Sequence, residues 1–171
     1  LSNTLNAFAK AGVSHPRLFE KFAYHIVGLD HLHDFKPQEL SNTVNAFAKA
    51  AVAHPALFAN VADHIVGLER LHDFQPQNLS NTAWAFATAK VPHPALFEKV
   101  AEHIISLKDT VDFTEQEIAN LAWAYQTAGV KNGRLADYLL ISAVEKKDEF
   151  SERTIKNFLR WTEEDDDAEG S

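Results

Sequence analysis

Asn6, Asn45, Trp84, Trp123 and Arg160 stand at one recurring position of this chain. Their side chains are of the kinds that touch nucleic acid. An Asn amide can hydrogen-bond a base edge, and a Trp face or an Arg plane can stack on a base. One helical turn further on come Lys10 and Lys49, suited to meet phosphate, where later copies have Thr88 and Thr127. The plainer alternative is that the two Trp pack between helices and that Asn6 and Asn45 are merely exposed. A second recurring position does not vary: it is Asn3, Asn42, Asn81, Asn120 and Asn157. In a stacked array the constant residue is better suited to joining neighbours. These Asn are therefore expected to form an inter-repeat ladder of hydrogen bonds, since a buried amide must be paired.

The nine His invite a metal reading. His15, His54 and His93 each precede a Pro, while His25, His64 and His103 recur ten residues later. Copies of one position in adjacent units should lie about as far apart as packed helix axes, roughly 8–10 Å. A zinc ion needs imidazole nitrogens at about 2.0–2.1 Å. Each row adds one ligand per unit, and the local pair His31–His33 has no copy elsewhere. Packing or capping is the expected role, and no metal or other cofactor is expected. The six Gly are scattered, with no Gly-rich run before a Lys-Ser or Lys-Thr pair, so no nucleotide loop is visible. No local arrangement of Ser, His and Asp marks a nucleophile elbow. The chain is expected not to be an enzyme.

The elements that would position these residues are repeats. Leu1, Leu40, Leu79 and Ile118 are spaced by 39 residues, and each opens a near-copy of one segment. Leu1-Ser2-Asn3-Thr4 returns as Leu40-Ser41-Asn42-Thr43 and Leu79-Ser80-Asn81-Thr82. A period of this length marks a solenoid or another array. Within a unit, Leu40, Val44, Phe47 and Ala51 define one face of a helix entered through Pro37. Ala51 and its equivalents Gly12 and Gly129 mark where that helix stops. His54-Pro55 opens a second helix with a wide stripe of Leu57, Phe58, Val61, Ala62, Ile65 and Leu68. Thr114-Glu115-Gln116-Glu117 reads as a capping box. In unit four, Asn132-Gly133 replaces His-Pro.

Neither helix can bury its stripe alone, so the pairs must stack. The expectation is an all-α solenoid of stacked helix-turn-helix repeats with a period of 39, four units and a partial fifth. The units are 1–39, 40–78, 79–117 and 118–154, with 155–161 as the fragment. Second helices should touch neighbours on both sides. Residues 162–171 form an acidic tail, expected to be disordered. Six of the 24 acids lie in that tail, leaving 18 acids against 16 bases in the body. A near-neutral body disfavours strong non-specific phosphate binding. There is no Cys, which excludes disulfides and thiolate chemistry. No apolar run of about 18 residues suggests a membrane span. The chain starts at Leu1, just inside a unit, and so reads as an excerpt of a longer polypeptide.

Leu-Ser-Asn-Thr-x-x-Ala-Phe-Ala-Lys, with Ala83-Trp84-Ala85-Phe86-Ala87 in a later copy, resembles a known group of repeats. These are the octotricopeptide and heptatricopeptide-like helical repeats of organelle RNA-binding proteins, often associated with a RAP domain. The likeness runs over roughly residues 1–161. It implies a solenoid acting in a chloroplast or mitochondrion, with single-stranded RNA as partner and RNA processing, stability or translation as its business. It also implies that first helices line the binding face, carrying Asn6, Lys10, Asn45, Lys49, Trp84, Trp123 and Arg160. The rival reading is a protein–protein interaction scaffold, a structural subunit of an organelle assembly, engaging partners through the solenoid face.

Overall fold

The computed structural model describes residues 16–52, 54–107, 113–145 and 151–152. These contain seven helices: α1 (Pro16–Val27), α2 (Pro37–Lys49), α3 (Pro55–Gly67), α4 (Pro76–Thr88), α5 (Pro94–Leu107), α6 (Glu115–Ala128) and α7 (Gly133–Glu145). No strand occurs among the described residues. The expected all-α array of helical pairs is what forms. The first helices of successive units are α2, α4 and α6, and the second helices are α1, α3, α5 and α7. Each unit's first helix begins at the Pro or Glu just before the repeat boundary drawn at Leu40, Leu79 or Ile118.

The sequence dictates both helix ends. Five of the six Pro are the first residue of a helix, where a missing N–H costs nothing and the fixed φ is already helical. The carboxylate of Glu39 accepts from the Lys36 N–H at 3.1 Å, and the Asn78 amide oxygen accepts from the Gln75 N–H at 3.0 Å. At α6 the capping box is complete. Thr114 Oγ1 accepts from the Glu117 N–H at 3.3 Å, and Glu117 Oε2 accepts from the Thr114 N–H at 2.9 Å.

First helices all stop in the same way. Ala51, Lys90 and Gly129 share one register position and take left-handed φ values of 53°, 55° and 66°. The next residue then reaches back across the turn. Val52 N–H donates to Phe47 O, Val91 N–H to Phe86 O, and Val130 N–H to Tyr125 O, at 3.0–3.1 Å. This is a Schellman stop, repeated in three units. Only Gly129 adopts the conformation free of a Cβ penalty.

Stacking takes two forms. First helices pack closely, α2 on α4 and α4 on α6. Their buried residues include a set of small ones: Ser41, Thr43, Ala46 and Ala48 on α2, then Ser80, Thr82, Ala83, Ala85 and Ala87 on α4, and Ala122 and Ala124 on α6. Small side chains let helix axes approach to the short end of the usual range. Second helices meet in the sequence α1, α3, α5, α7 with larger residues between them, so each interior one does touch a neighbour on either side. The two rows are joined by aromatic pairs. Phe19 meets Phe47, Phe58 meets Phe86, and Phe97 meets Tyr125, each edge-to-face with ring centroids 5.0 Å apart. In every case the second helix of one unit holds the first helix of the next. The Tyr125 hydroxyl adds a buried 2.6 Å bond to the Phe97 carbonyl. Burial, with a smaller contribution from Glu98, pushes that phenol far above its usual range.

Candidate nucleic-acid interface

The residues proposed for this face lie on the first helices, whose tight packing decides which of them reach solvent. Asn3, Asn6, Lys10, Asn157 and Arg160 lie outside the described residues, as do the fifth fragment and the acidic tail. Asn45 does not present its amide on an open face: it is only 4% exposed. Ser41, Thr43, Ser80 and Thr82 are buried with it. The polar side of α2 is thus largely an interface between units rather than a solvated face. Three of these four hydroxyls tolerate this because their own helix serves them, whereas Thr82 Oγ1 is buried without a hydrogen-bond partner. Ser41 donates to Gln38 O at 3.1 Å, Thr43 to Glu39 O at 2.7 Å, and Ser80 to Gln77 O at 3.2 Å. A short hydroxyl bonded one turn back needs no water, so polarity in these helices does not signal exposure.

The invariant Asn row is half-buried at Asn42, Asn81 and Asn120. Asn42 is bonded. Asn120 is held within α6, its Oδ1 accepting from Gln116 Nε2 at 2.9 Å. Asn78, near the start of α4, carries an amide that crosses between units, its Nδ2 donating to Ser41 Oγ at 3.4 Å. It sits one turn earlier than the expected ladder.

The variable position opens progressively along the array. Asn45 is buried, Trp84 is half-buried against the core, and Trp123 is 42% exposed. The two indoles are neighbours, with centroids 6.3 Å apart and planes inclined at 33°. Lys49 places its ammonium 6.0 Å from the Trp84 ring centroid, a cation–π distance. The structure therefore brings Lys49, Trp84 and Trp123 into one row across α2, α4 and α6. Trp84 serves packing and the row at once. The same helix faces carry Gln38, Gln77 and Gln116 at their start and Thr88 and Thr127 at their end, with no carboxylate among these positions.

Two features complete the picture, the first being the capping role that is one of the two expected for these His. First, the His before Pro is an N-cap. His54 Nδ1 accepts from the Leu57 N–H and His93 Nδ1 from the Leu96 N–H, both at 3.2 Å. Asn132 Oδ1 does the same for Leu135 at 2.9 Å, so the apparent drift in unit four keeps the function. The capping residue also reaches the preceding unit. His54 lies edge-on to Tyr24, His93 Nε2 is 3.4 Å from Asp63, and Asn132 Nδ2 is 3.5 Å from Glu98. Second, the connector His of one unit meets the helical His of the next: the His33 and His64 rings are 5.3 Å apart. This edge bounds a cleft of about 480 Å³ lined by His33, Phe35, His64, Arg70 and His72 among others. Burial, then His33 and His31, holds His64 below its usual value. His103 is lowered by burial, His72 and Lys99. Imidazoles kept neutral in this way suit packing. Among the described residues no three His, Asp or Glu converge as metal ligands, and no helix is long and apolar enough to cross a membrane.

Comparison with known proteins places this geometry in a family. No curated protein matches the chain. Residues 1–161 match the family described as RESC6, RNA-editing substrate-binding complex 6 protein. That stretch spans every repeat unit, and the match is to this family rather than to the octotricopeptide or heptatricopeptide-like repeats. The array of stacked helical pairs with its Lys49–Trp84–Trp123 row thus belongs to the RNA-editing substrate-binding complex 6 protein family.

Proposed function

We propose that the chain is a non-enzymatic module that holds single-stranded RNA along its first-helix row within an RNA-editing assembly. The observation that carries this reading is the Lys49–Trp84–Trp123 row, an aromatic and cationic surface on a face without carboxylates. Aromatic faces accept any base, and a nearby cation favours the backbone. Lys10 and Arg160 would extend the row at either end. Family membership supports an RNA-related role. An organelle is the inferred setting, with RNA processing, stability or translation as the process served. Nothing in the family match favours a chloroplast.

The test is direct. A Trp84→Ala/Trp123→Ala double variant should weaken binding to single-stranded RNA by at least about 1–3 kcal/mol, the value of one lost stack, in an anisotropy titration. Unchanged binding by a folded double variant rejects the reading. A second reading, a protein–protein scaffold, is favoured by the near-neutral body and by an exposed Trp, the residue type that dominates protein interfaces. Salt separates the two. Phosphate contacts strengthen as salt falls. Absence of any RNA complex at low salt, with residues 162–171 removed, would favour the scaffold.

A further inference from the structure

We infer that the row offers one base site rather than two: an unpaired base stacks on Trp123 with Asn120 at its edge, and Trp84 is the backing of that site. The inference rests on the RNA reading above and narrows it. Stacked bases repeat at about 3.4 Å, so a base held between two indoles needs parallel planes about twice that distance apart. The Trp84 and Trp123 centroids are 6.3 Å apart but the planes are inclined at 33°, so the two indoles do not present the parallel faces such a slot needs. Trp84 has little free face elsewhere. Helix α4 lies between α2 and α6, so Lys49 covers Trp84 from one side and Trp123 from the other. Trp84 is also half-buried against the core. The open aromatic surface is that of Trp123, at 42% exposure.

Asn120 stands one turn before Trp123 on α6. Gln116 Nε2 already occupies its Oδ1 at 2.9 Å. A ligand would therefore meet the N–H side of the amide, whose donors match a keto oxygen or ring nitrogen on a base edge. The same bond fixes the rotamer, so the donors are preorganised beside the stacking surface.

The experiment compares the full chain with Trp123→Ala, Trp84→Phe and Asn120→Ala variants. The probes are a mixed single-stranded RNA and a fully abasic strand of the same length, titrated by anisotropy with folding checked by circular dichroism. The wild type should prefer the base-bearing strand. Trp123→Ala should weaken that complex roughly 5- to 150-fold, the fold-change of one lost stack, and bind both strands alike. Trp84→Phe, which keeps an aromatic ring behind Trp123, should weaken the complex less than Trp123→Ala does, and Asn120→Ala should lose part of the preference while leaving abasic binding unchanged. The inference is overturned if Trp84→Phe loses as much as Trp123→Ala, or if Trp123→Ala keeps the preference. Equal wild-type binding of the two strands overturns it while leaving RNA binding intact. Binding of neither strand overturns the RNA reading itself.

Discussion

The first-helix row and the second-helix row are built from the same repeat yet solve different problems. First helices bury Ala, Ser and Thr beside their larger residues and so approach closely; their outer positions carry Gln, Asn, Thr, Lys and Trp, with acids confined to the first turn at Glu39, Glu115 and Glu117. Second helices bury Leu, Phe, Val and Ile, and show Arg, Glu, Asp and Lys outside. The second row supplies apolar mass, and the first row fixes the spacing at which recurring side chains meet. A row of readers needs a rigid and short pitch, which small residues provide. A row of large side chains would set neighbouring indoles further apart. The contact between Trp84 and Trp123 is therefore a consequence of alanines such as Ala85 as much as of the indoles themselves.

The sharpest way to break this division is to damage each row by its own weakness. The second row should suffer most from truncation. Phe58 is fully buried and holds Phe86 edge-to-face. Phe58→Ala should cost about 3–5 kcal/mol in chemical denaturation, through lost burial and the cavity left behind. The first row should suffer from enlargement instead. Ala85 is fully buried on α4, in the row pressed between α2 and α6. Ala85→Leu should cost about 1–3 kcal/mol by overpacking, and should also change the near-ultraviolet circular dichroism of the indole pair. If Ala85→Leu is neutral, the first helices do not set the pitch.

Capping gives the next effect in size and tests whether units four and three are equivalent. His93→Ala removes the acceptor for the Leu96 N–H and should cost about 0.5–2 kcal/mol in thermal or chemical denaturation. His93→Asn should cost much less, because Asn132 already fills this role one unit on. Equal losses in the two variants would mean that the imidazole acts through Asp63 rather than through the cap.

How much of this was legible beforehand differs between the rows. Helix pairs, the Pro starts, the Thr114–Glu117 box and the second-row stripe follow from period and chemistry alone, because each depends on residues near in sequence. Asn45 shows where such reading stops. A polar residue on a polar helix face reads as exposed, yet the face is an interface, since hydroxyls such as Thr43 bond their own backbone. Nothing in the local pattern of α2 distinguishes a solvated polar face from a buried self-satisfied one; only the distance between helices does. The Lys49–Trp84–Trp123 row became visible because Trp84 and Trp123 recur at one register position, with Lys49 at the recurring position one helical turn further on. The role of Asn132 was hidden because Asn and His look unlike each other, although both offer one acceptor at the same place.

A smaller effect sharpens the description of first-helix ends. Lys90 adopts φ 55° at the position where Gly129 sits at 66°. A left-handed conformation costs an L-residue roughly 1–2 kcal/mol, and Gly gives part of that back as extra freedom in the unfolded chain. Lys90→Gly should therefore stabilise the chain by about 0.5–1 kcal/mol in urea denaturation. A loss of stability would mean that the Lys90 side chain contributes more than its backbone strain removes.

The pH response should divide the rows without any mutation. Helices α2, α4 and α6 contain no His, whereas α3 and α5 carry His64 and His103, both held below the usual imidazole value. In the unfolded chain these His titrate near 6.5. Between that value and the lower folded one, the unfolded state binds more protons, so stability falls as pH drops through this window and levels off beneath it. Above the window the two groups contribute no slope. Protonation would place like charges beside His33 and His31 at one site, and beside His72 and Lys99 at the other. Thermal melts should therefore show a modest fall from pH 7.5 toward pH 5, and His64→Gln/His103→Gln should flatten it. Through the same range the native signal of the Trp84–Trp123 pair should stay constant, because the described first helices carry no His. An indole signal that moved with the histidines would show that the second row transmits its state to the first, and the two rows would then be one mechanical unit.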